Sequence, residues 1–238
     1  MYVIDSHCHT IASGHAYSTI SEYAAAAAEK GLAGFAVTDH APKLAGAPSE
    51  LYFLNLPILP KFMRGVRVYT GAEVNIIDKG GRVDLPERIL ASLDVVIASL
   101  HTPCFPPPSP PEDATGAVTG AMRNPFVKII GHLGDTRYPI NEEEVVSAAI
   151  KNNVLIEVNN SSFNPASRRF GGERRVARLL ELCRRRDFPV VLGSDAHFHG
   201  HVGDFSLLAG VLDGFPEELI LNTSAEKYEK FLGIKQGF

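Results

Sequence analysis

Seven of the nine histidines in this 238-residue chain stand at or just beyond the ends of predicted β-strands. They are His7, His9, His15, His40, His101, His132 and His197, and Glu73 and Asp195 share the placement. The strands are predicted over residues 2–6, 34–38, 67–76, 94–99, 128–130, 154–158 and 189–193. Helices are predicted between them over 21–30, 142–152 and 173–186, and a last one over 223–232. Runs such as Val95-Val96-Ile97-Ala98 and Val190-Val191-Leu192 are apolar throughout, the mark of strands covered on both faces. Strands alternating with helices give a parallel sheet, open or closed. An open doubly wound sheet satisfies the alternation. Only closure brings six strand ends around one point, so the expected fold is α/β, a distorted seven-stranded (β/α)7 TIM-like barrel.

Composition narrows the function. Hydrophobic residues make up 45% and charged residues 21%, ordinary values for a globular protein of one domain spanning residues 1–238. The net charge of −4 gives no general attraction for nucleic acid or an anionic membrane. No apolar run approaches the roughly 18 residues of a membrane helix. The start, Met1-Tyr2-Val3-Ile4-Asp5, enters a strand with no signal-peptide pattern. Cys8, Cys104 and Cys183 are odd in number and far apart, as expected of reduced cytoplasmic thiols and not of a disulfide framework.

The chemistry-bearing motifs follow the strands. In Asp5-Ser6-His7-Cys8-His9 the two imidazoles point to one side of an extended chain and can chelate one ion. Asp5 is expected to share that face and to orient a ligand, with Cys8 packing behind. Val37-Thr38-Asp39-His40 repeats the strand-then-histidine order, with Asp39 structural or supporting. Glu73, in Thr70-Gly71-Ala72-Glu73-Val74-Asn75, is a carboxylate in an apolar strand, costly unless paired or metal-bound, and a carboxylate can bridge two ions. His101 and His132 each end a strand. Ser194-Asp195-Ala196-His197 repeats the two-residue spacing at the last strand. Any one of these alone would be a satisfied polar residue. Nine together are too many for one ion and suit two or three. The stretch 104–112, Cys-Phe-Pro-Pro-Pro-Ser-Pro-Pro-Glu, is expected to be a stiff loop beside the site.

The motifs His7-Cys8-His9, Thr38-Asp39-His40, Gly71-Ala72-Glu73-Val74-Asn75, His101, Gly131-His132 and Ser194-Asp195-Ala196-His197 run in order through essentially the whole chain. As a set the sequence resembles the PHP domain family (polymerase and histidinol phosphatase), and within it the YcdX-like stand-alone phosphatases. The resemblance implies the PHP fold and a trinuclear centre of three divalent metal ions, with Zn2+ first and Mn2+ or Fe2+ as alternatives. His7, His9, Glu73 and Asp195 would hold one ion. Glu73 would bridge to a second held by His101 and His132, and His15, His40 and His197 would hold the third. It also implies hydrolysis of a small phosphate monoester by a metal-activated water, without a covalent enzyme intermediate. Glu73, Asp195 and His199 are the candidate catalytic residues. His199 or His201 could supply a proton to the leaving group or touch phosphate, and Arg168 and Arg169 could clamp it. The rivals are an amidohydrolase, a phosphodiesterase or nuclease, a histidinol phosphatase, and a metal-binding protein without turnover. Glu73 and the Asp-Ala-His ending fit the phosphatase pattern better than the amidohydrolase one. The acidic charge argues against a nuclease.

Overall fold

In the computed structural model, residues 1–107, 110–167, 169 and 171–234 are described. Eight strands are assigned: β1 (Ile4–Cys8), β2 (Gly34–Val37), β3 (Phe62–Met63), β4 (Val66–Asn75), β5 (Val95–Ser99), β6 (Ile129–Ile130), β7 (Leu155–Asn159) and β8 (Val190–Gly193). Seven pair in parallel in the order β1-β2-β4-β5-β6-β7-β8, and the two-residue β3 lies antiparallel on β4. The ends of the sheet meet through one parallel bridge, Cys8 to Ala196, where the His9 N–H donates to the Ala196 carbonyl at 2.8 Å and the Asp195 N–H to the His7 carbonyl at 2.9 Å. The barrel is therefore nearly closed, as the converging strand ends require.

The eight α-helices assigned are α1 (Ile20–Glu29), α2 (Glu50–Asn55), α3 (Glu87–Leu90), α4 (Pro111–Ala121), α5 (Glu142–Asn152), α6 (Glu173–Arg185), α7 (Ala209–Leu212) and α8 (Ala225–Leu232). The ends of α1 and α5 are set by local chemistry legible in sequence. Thr19 and Glu22 form a reciprocal capping box on α1, and the Asn141 side chain accepts from the Glu144 N–H at the start of α5. Helix α4 was not expected. The loop anticipated over 104–112 ends at Pro111, which fills the first helical turn where its missing N–H costs nothing. Pro108 and Ser109 lie outside the described residues. Gly120 of α4 is what admits the helix: a Cβ there would meet the Gly80 carbonyl oxygen at 2.1 Å. After Ile77 the chain turns back, with Val83 bridging Ile76 in antiparallel sense.

The barrel interior is filled by Ile4, Ala36, Tyr69, Ile97, Leu155 and Val191 among others, and Tyr228 of α8 caps them. Helices cover the outer faces. Ile4 packs inward and Cys8 outward, although they share strand parity. A register shift between Asp5 and Cys8 flips the alternation and turns His7 and His9 inward. Asp5 therefore does not orient an imidazole, as expected from simple alternation. It accepts instead from the backbone N–H groups of His7 (3.3 Å), Ser194 (3.0 Å) and Gly203 (2.7 Å), tying β1 to the loop after β8. No described helix is long and apolar enough to cross a membrane.

Candidate metal centre

All nine residues singled out from the sequence gather at the C-terminal mouth of the barrel. Glu73, near the end of β4, lies at their middle. Its Oε1 is 2.9 Å from His132 Nε2 and 3.3 Å from His101 Nε2. Its Oε2 is 2.7 Å from His40 Nδ1 and 3.5 Å from both His7 Nε2 and His9 Nε2. Asp195 Oδ1 is 3.2 Å from His9 Nε2. On the outer side, His15 Nε2 faces His197 Nε2 at 3.1 Å. Three sets of donor atoms lie within 4.8 Å of one another: His7, His9 and Asp195; His40, Glu73 and His101; and His9, His40 and His197. His40 thus stands between two sets, beside Glu73 as well as near the His15–His197 pair that the resemblance assigned it to.

The far ring nitrogens decide the tautomers. His7 Nδ1 meets Glu157 Oε1 at 2.7 Å, His101 Nδ1 meets Asn75 Oδ1 at 2.7 Å, and His15 and His197 Nδ1 meet the carbonyls of Ser13 and Asp195 at 3.0 and 2.9 Å. His9 Nδ1 meets Ser13 Oγ at 3.2 Å, and that hydroxyl is already spent as a donor to Asp39. Each of these nitrogens faces an acceptor, so each carries the proton and leaves an Nε2 lone pair toward the cluster. Lone pairs then oppose each other at 3.0 Å between His7 and His9 and at 3.1 Å between His15 and His197. Such pairs repel unless a proton or a metal cation lies between them. His40 Nδ1, Glu73 Oε2 and His101 Nε2 are buried and form no well-directed hydrogen bond, although His40 Nδ1 and Glu73 Oε2 are 2.7 Å apart, and their residues make up one of the converging sets. The donor set therefore fits divalent metal.

Electrostatics agree. Burial disfavours charge on Glu73, yet His101, His7 and His40 hold its carboxyl well below the usual range. Burial likewise opposes ionisation of Asp195, and Arg169, His7 and His9 overcome it. His7 is pushed well above its ordinary value: burial acts against its charge, but Glu157, Glu73 and Asp195 prevail. That carboxylate field draws in positive charge, whether proton or metal. Burial, with the neighbouring His40 and His197, pushes His9 well down. Two of the nine, His132 (φ 31°) and Asp195 (φ 56°), hold the left-handed backbone conformation that non-glycine residues rarely adopt.

An open cavity of about 210 Å3 lies over the centre, its floor formed by His15, His40, His101, His132, Asp195 and His197. Arg169 also lines it and bonds Asp195. Arg168 lies outside the described residues. His199 and His201 do not line the cavity, and Ser18 Oγ holds His199 Nδ1 at 2.9 Å. A larger groove of about 700 Å3 beside α6 and α7 contains none of the nine.

Sequence reading missed Glu157 and Arg137. Glu157 of β7 accepts from His7 Nδ1 and, through Oε2, from the His132 N–H at 2.7 Å. Its carboxylate fits because position 193 is glycine, where a Cβ would lie 1.9 Å from Oε1. The signal was present: a carboxylate inside an apolar strand, the reasoning applied to Glu73. Arg137 carried no such signal, since arginines in loops are common. Asp39 supports as expected, accepting from the Thr10 N–H and from the Thr10, Ser13 and Tyr52 hydroxyls.

A barrel of parallel strands with clustered histidines and carboxylates at its C-terminal mouth defines an α/β barrel with a metal-type site. A profile of the PHP domain matches residues 5–161. A protein of Clostridium novyi named a probable phosphatase is 45% identical over 98% of this chain and 96% of its own length. Another probable phosphatase, from Caldanaerobacter subterraneus subsp. tengcongensis, is 46% identical over 98% of this chain and 92% of its own. Among solved structures, histidinol phosphate phosphatase of Lactococcus lactis, complexed with zinc, L-histidinol and phosphate, superposes with a TM-score of 0.64 at 16% identity, covering 90% of this chain and 95% of that one. The chain belongs to the PHP domain family.

Proposed function

We propose that the chain is a single-domain, metal-dependent phosphatase that hydrolyses small phosphate monoesters at a centre of three divalent ions. The ligands would be His7, His9, His15, His40, Glu73, His101, His132, Asp195 and His197. The observation that carries this reading is the buried set of His40, Glu73 and His101, whose donor atoms lie within 4.8 Å of one another and whose His40 Nδ1, Glu73 Oε2 and His101 Nε2 form no well-directed hydrogen bond. A nitrogen-rich donor set suits Zn2+, Mn2+ or Fe2+. What such ions supply when bound is activation of a water at neutral pH and neutralisation of phosphoryl charge.

The chain's own residues do the rest. Glu157, Ser13 and Asn75 fix three imidazoles in the tautomer that presents Nε2 to the centre. Arg169 is anchored through Nη2 on Asp195 and Ser161 Oγ, and among the described residues its Nε and Nη1 make no hydrogen bond, which suits them to bind a phosphoryl oxygen. Burial of His7, His9, Glu73 and Asp195 keeps bulk water from competing at the reacting atoms. His199 and His201 are left out of this centre because neither lines the cavity. Three cysteines free of disulfides fit a reducing, cytoplasmic compartment.

The test is a phosphomonoester assay on protein whose metal content has been measured. Turnover should disappear on chelation and return with added Zn2+, Mn2+ or Fe2+. Undiminished turnover by fully stripped protein would refute the reading.

A further inference from the structure

The cavity over the centre holds a second guanidinium whose purpose the metal site does not explain. Arg137 lines it, 33% exposed at the side chain, from the loop after β6. It is fixed from behind by Asp135, itself almost fully buried and not part of the cavity wall. Arg137 Nε donates to Asp135 Oδ1 and Oδ2 at 2.9 and 3.2 Å, and Nη2 to Oδ2 at 2.6 Å. The Arg137 N–H also donates to Oδ1, at 3.0 Å, so backbone and side chain are locked together. Nη1 extends to Thr102 Oγ1 at 3.2 Å, and Thr102 is another wall residue. One edge of the guanidinium is consumed by the carboxylate, and the other is presented at the wall in a preset orientation.

The rest of the wall is apolar or already accounted for. Leu44, Leu100 and Pro103 supply carbon surface. Among the described residues, Asp195 is the one carboxylate lining the cavity, and Arg169 and the histidines occupy it. No carboxylate of the wall is left over to receive a substrate ammonium. The volume of about 210 Å3 is also below the roughly 300–1,000 Å3 of pockets that enclose drug-sized ligands.

We propose that Arg137, with Thr102, forms a subsite for a second anionic group on the leaving-group side of the substrate, so that the preferred substrates are compact phosphate monoesters carrying a carboxylate or a second phosphate. This rests on the phosphatase reading of the same site. A fixed guanidinium edge can meet two oxygens of either anion, and a charge-assisted hydrogen bond of about 1.5–3 kcal/mol corresponds to roughly 10- to 150-fold in kcat/KM. An ester with an ammonium in the same place meets two guanidinium groups and no free carboxylate, so it is rejected.

The experiment compares three-carbon esters on metal-loaded protein: glycerol 3-phosphate (neutral), 3-phosphoglycerate (carboxylate), 1,3-propanediol bisphosphate (second phosphate) and 3-aminopropyl phosphate (ammonium). One or both anionic esters should exceed the neutral one by about tenfold or more in kcat/KM, and the two arms identify which anion is read. The ammonium ester should fall below the neutral one. In Arg137→Gln the ratio of anionic to neutral should collapse toward unity, and Arg137→Lys should restore part of it. Turnover of all four esters at similar kcat/KM, or a preference for the ammonium ester, overturns the subsite while leaving the phosphatase reading standing. A preference that survives Arg137→Gln also overturns it. If none of the esters is hydrolysed and p-nitrophenyl phosphate is not either, the phosphatase reading fails and the subsite falls with it. The wild-type panel decides even if the variants fold poorly.

Discussion

The two ends of this barrel are built from the same strands and have opposite chemistry. At the C-terminal mouth, buried atoms of His40, Glu73 and His101 crowd together without a well-directed hydrogen bond, and imidazole Nε2 atoms face each other across about 3 Å. At the N-terminal floor, Asn222 shows what full pairing looks like. Its Nδ2 donates to the carbonyls of Ile4 on β1 (2.9 Å) and Leu192 on β8 (2.8 Å), and its Oδ1 accepts from the Leu192 N–H at 2.6 Å. One side chain replaces the ladder that β1 and β8 do not form there. Tyr69 and Tyr228 pack beside it with ring centroids 5.3 Å apart. The floor also keeps two buried atoms without a partner, Arg67 Nε and Tyr228 Oη, but among the described residues only those of the mouth belong to converging sets of histidines and carboxylates that could hold a cation. Unpaired polar atoms that converge, more than isolated ones, mark where function sets the sequence against stability.

That contrast can be broken from either end. The largest effect is expected at the mouth. Glu73→Gln removes the central carboxylate charge and should cut kcat/KM by on the order of 10²–10³, with loss of bound metal and little loss of fold. Glu157→Gln acts only through His7 and His132, so it should weaken metal affinity about 10- to 100-fold in a competition titration and cost less activity than Glu73→Gln. Full metal occupancy and wild-type turnover in Glu73→Gln would contradict the placement of that residue at the middle of the centre.

Asn222→Ala reverses the pattern. It leaves buried groups of Ile4 and Leu192 unpaired and should lower stability by about 2–4 kcal/mol in urea unfolding. The metal content of the folded fraction should be preserved. A stable variant that had lost its metal would show that the seam governs the mouth more than the floor.

The smallest effect is in pH. In metal-stripped protein the depressed carboxyls of Glu73 and Asp195 contribute stability that is present above the ordinary carboxylate range of about 4. The unfolded chain binds those protons first, so stability is lost as pH falls through and below that range. At the floor, burial raises Tyr69 and Tyr228, with Glu229 beside the former and Asp5 near the latter. The folded state then keeps protons that the unfolded chain releases, so stability falls as pH rises above about 10. Urea midpoints measured against pH should therefore show an acid limb that Glu73→Gln weakens and an alkaline limb that it leaves in place. An acid limb unaffected by Glu73→Gln would remove the mouth as its source.

Much of this was legible in the chain. Seven parallel strands follow from short apolar runs between amphipathic helices, and the capping residues of α1 and α5 marked two helix starts. The nine candidate ligands stood out because histidines and carboxylates are expensive at the ends of apolar strands unless something uses them. Helix α4 was hidden because its glycines and prolines read as loop, while close packing of Gly120 on Gly80 is a contact between distant segments. Glu157 could have been found by the rule that found Glu73. Arg137 could not, because its meaning comes from Asp135 behind it and Thr102 beside it.

The sequence by itself determined which residue types reach the mouth, since strand period and strand ends are local properties of the chain. Only the tertiary structure decided how they meet. The register shift in β1 turned His7 and His9 inward and sent Asp5 to the backbone of the loop after β8. Pairing of β2 with β4 set His40 against Glu73, and barrel closure set His15 against His197. Those distances depend on strand stagger and on side chains far apart in sequence, and no local pattern encodes them.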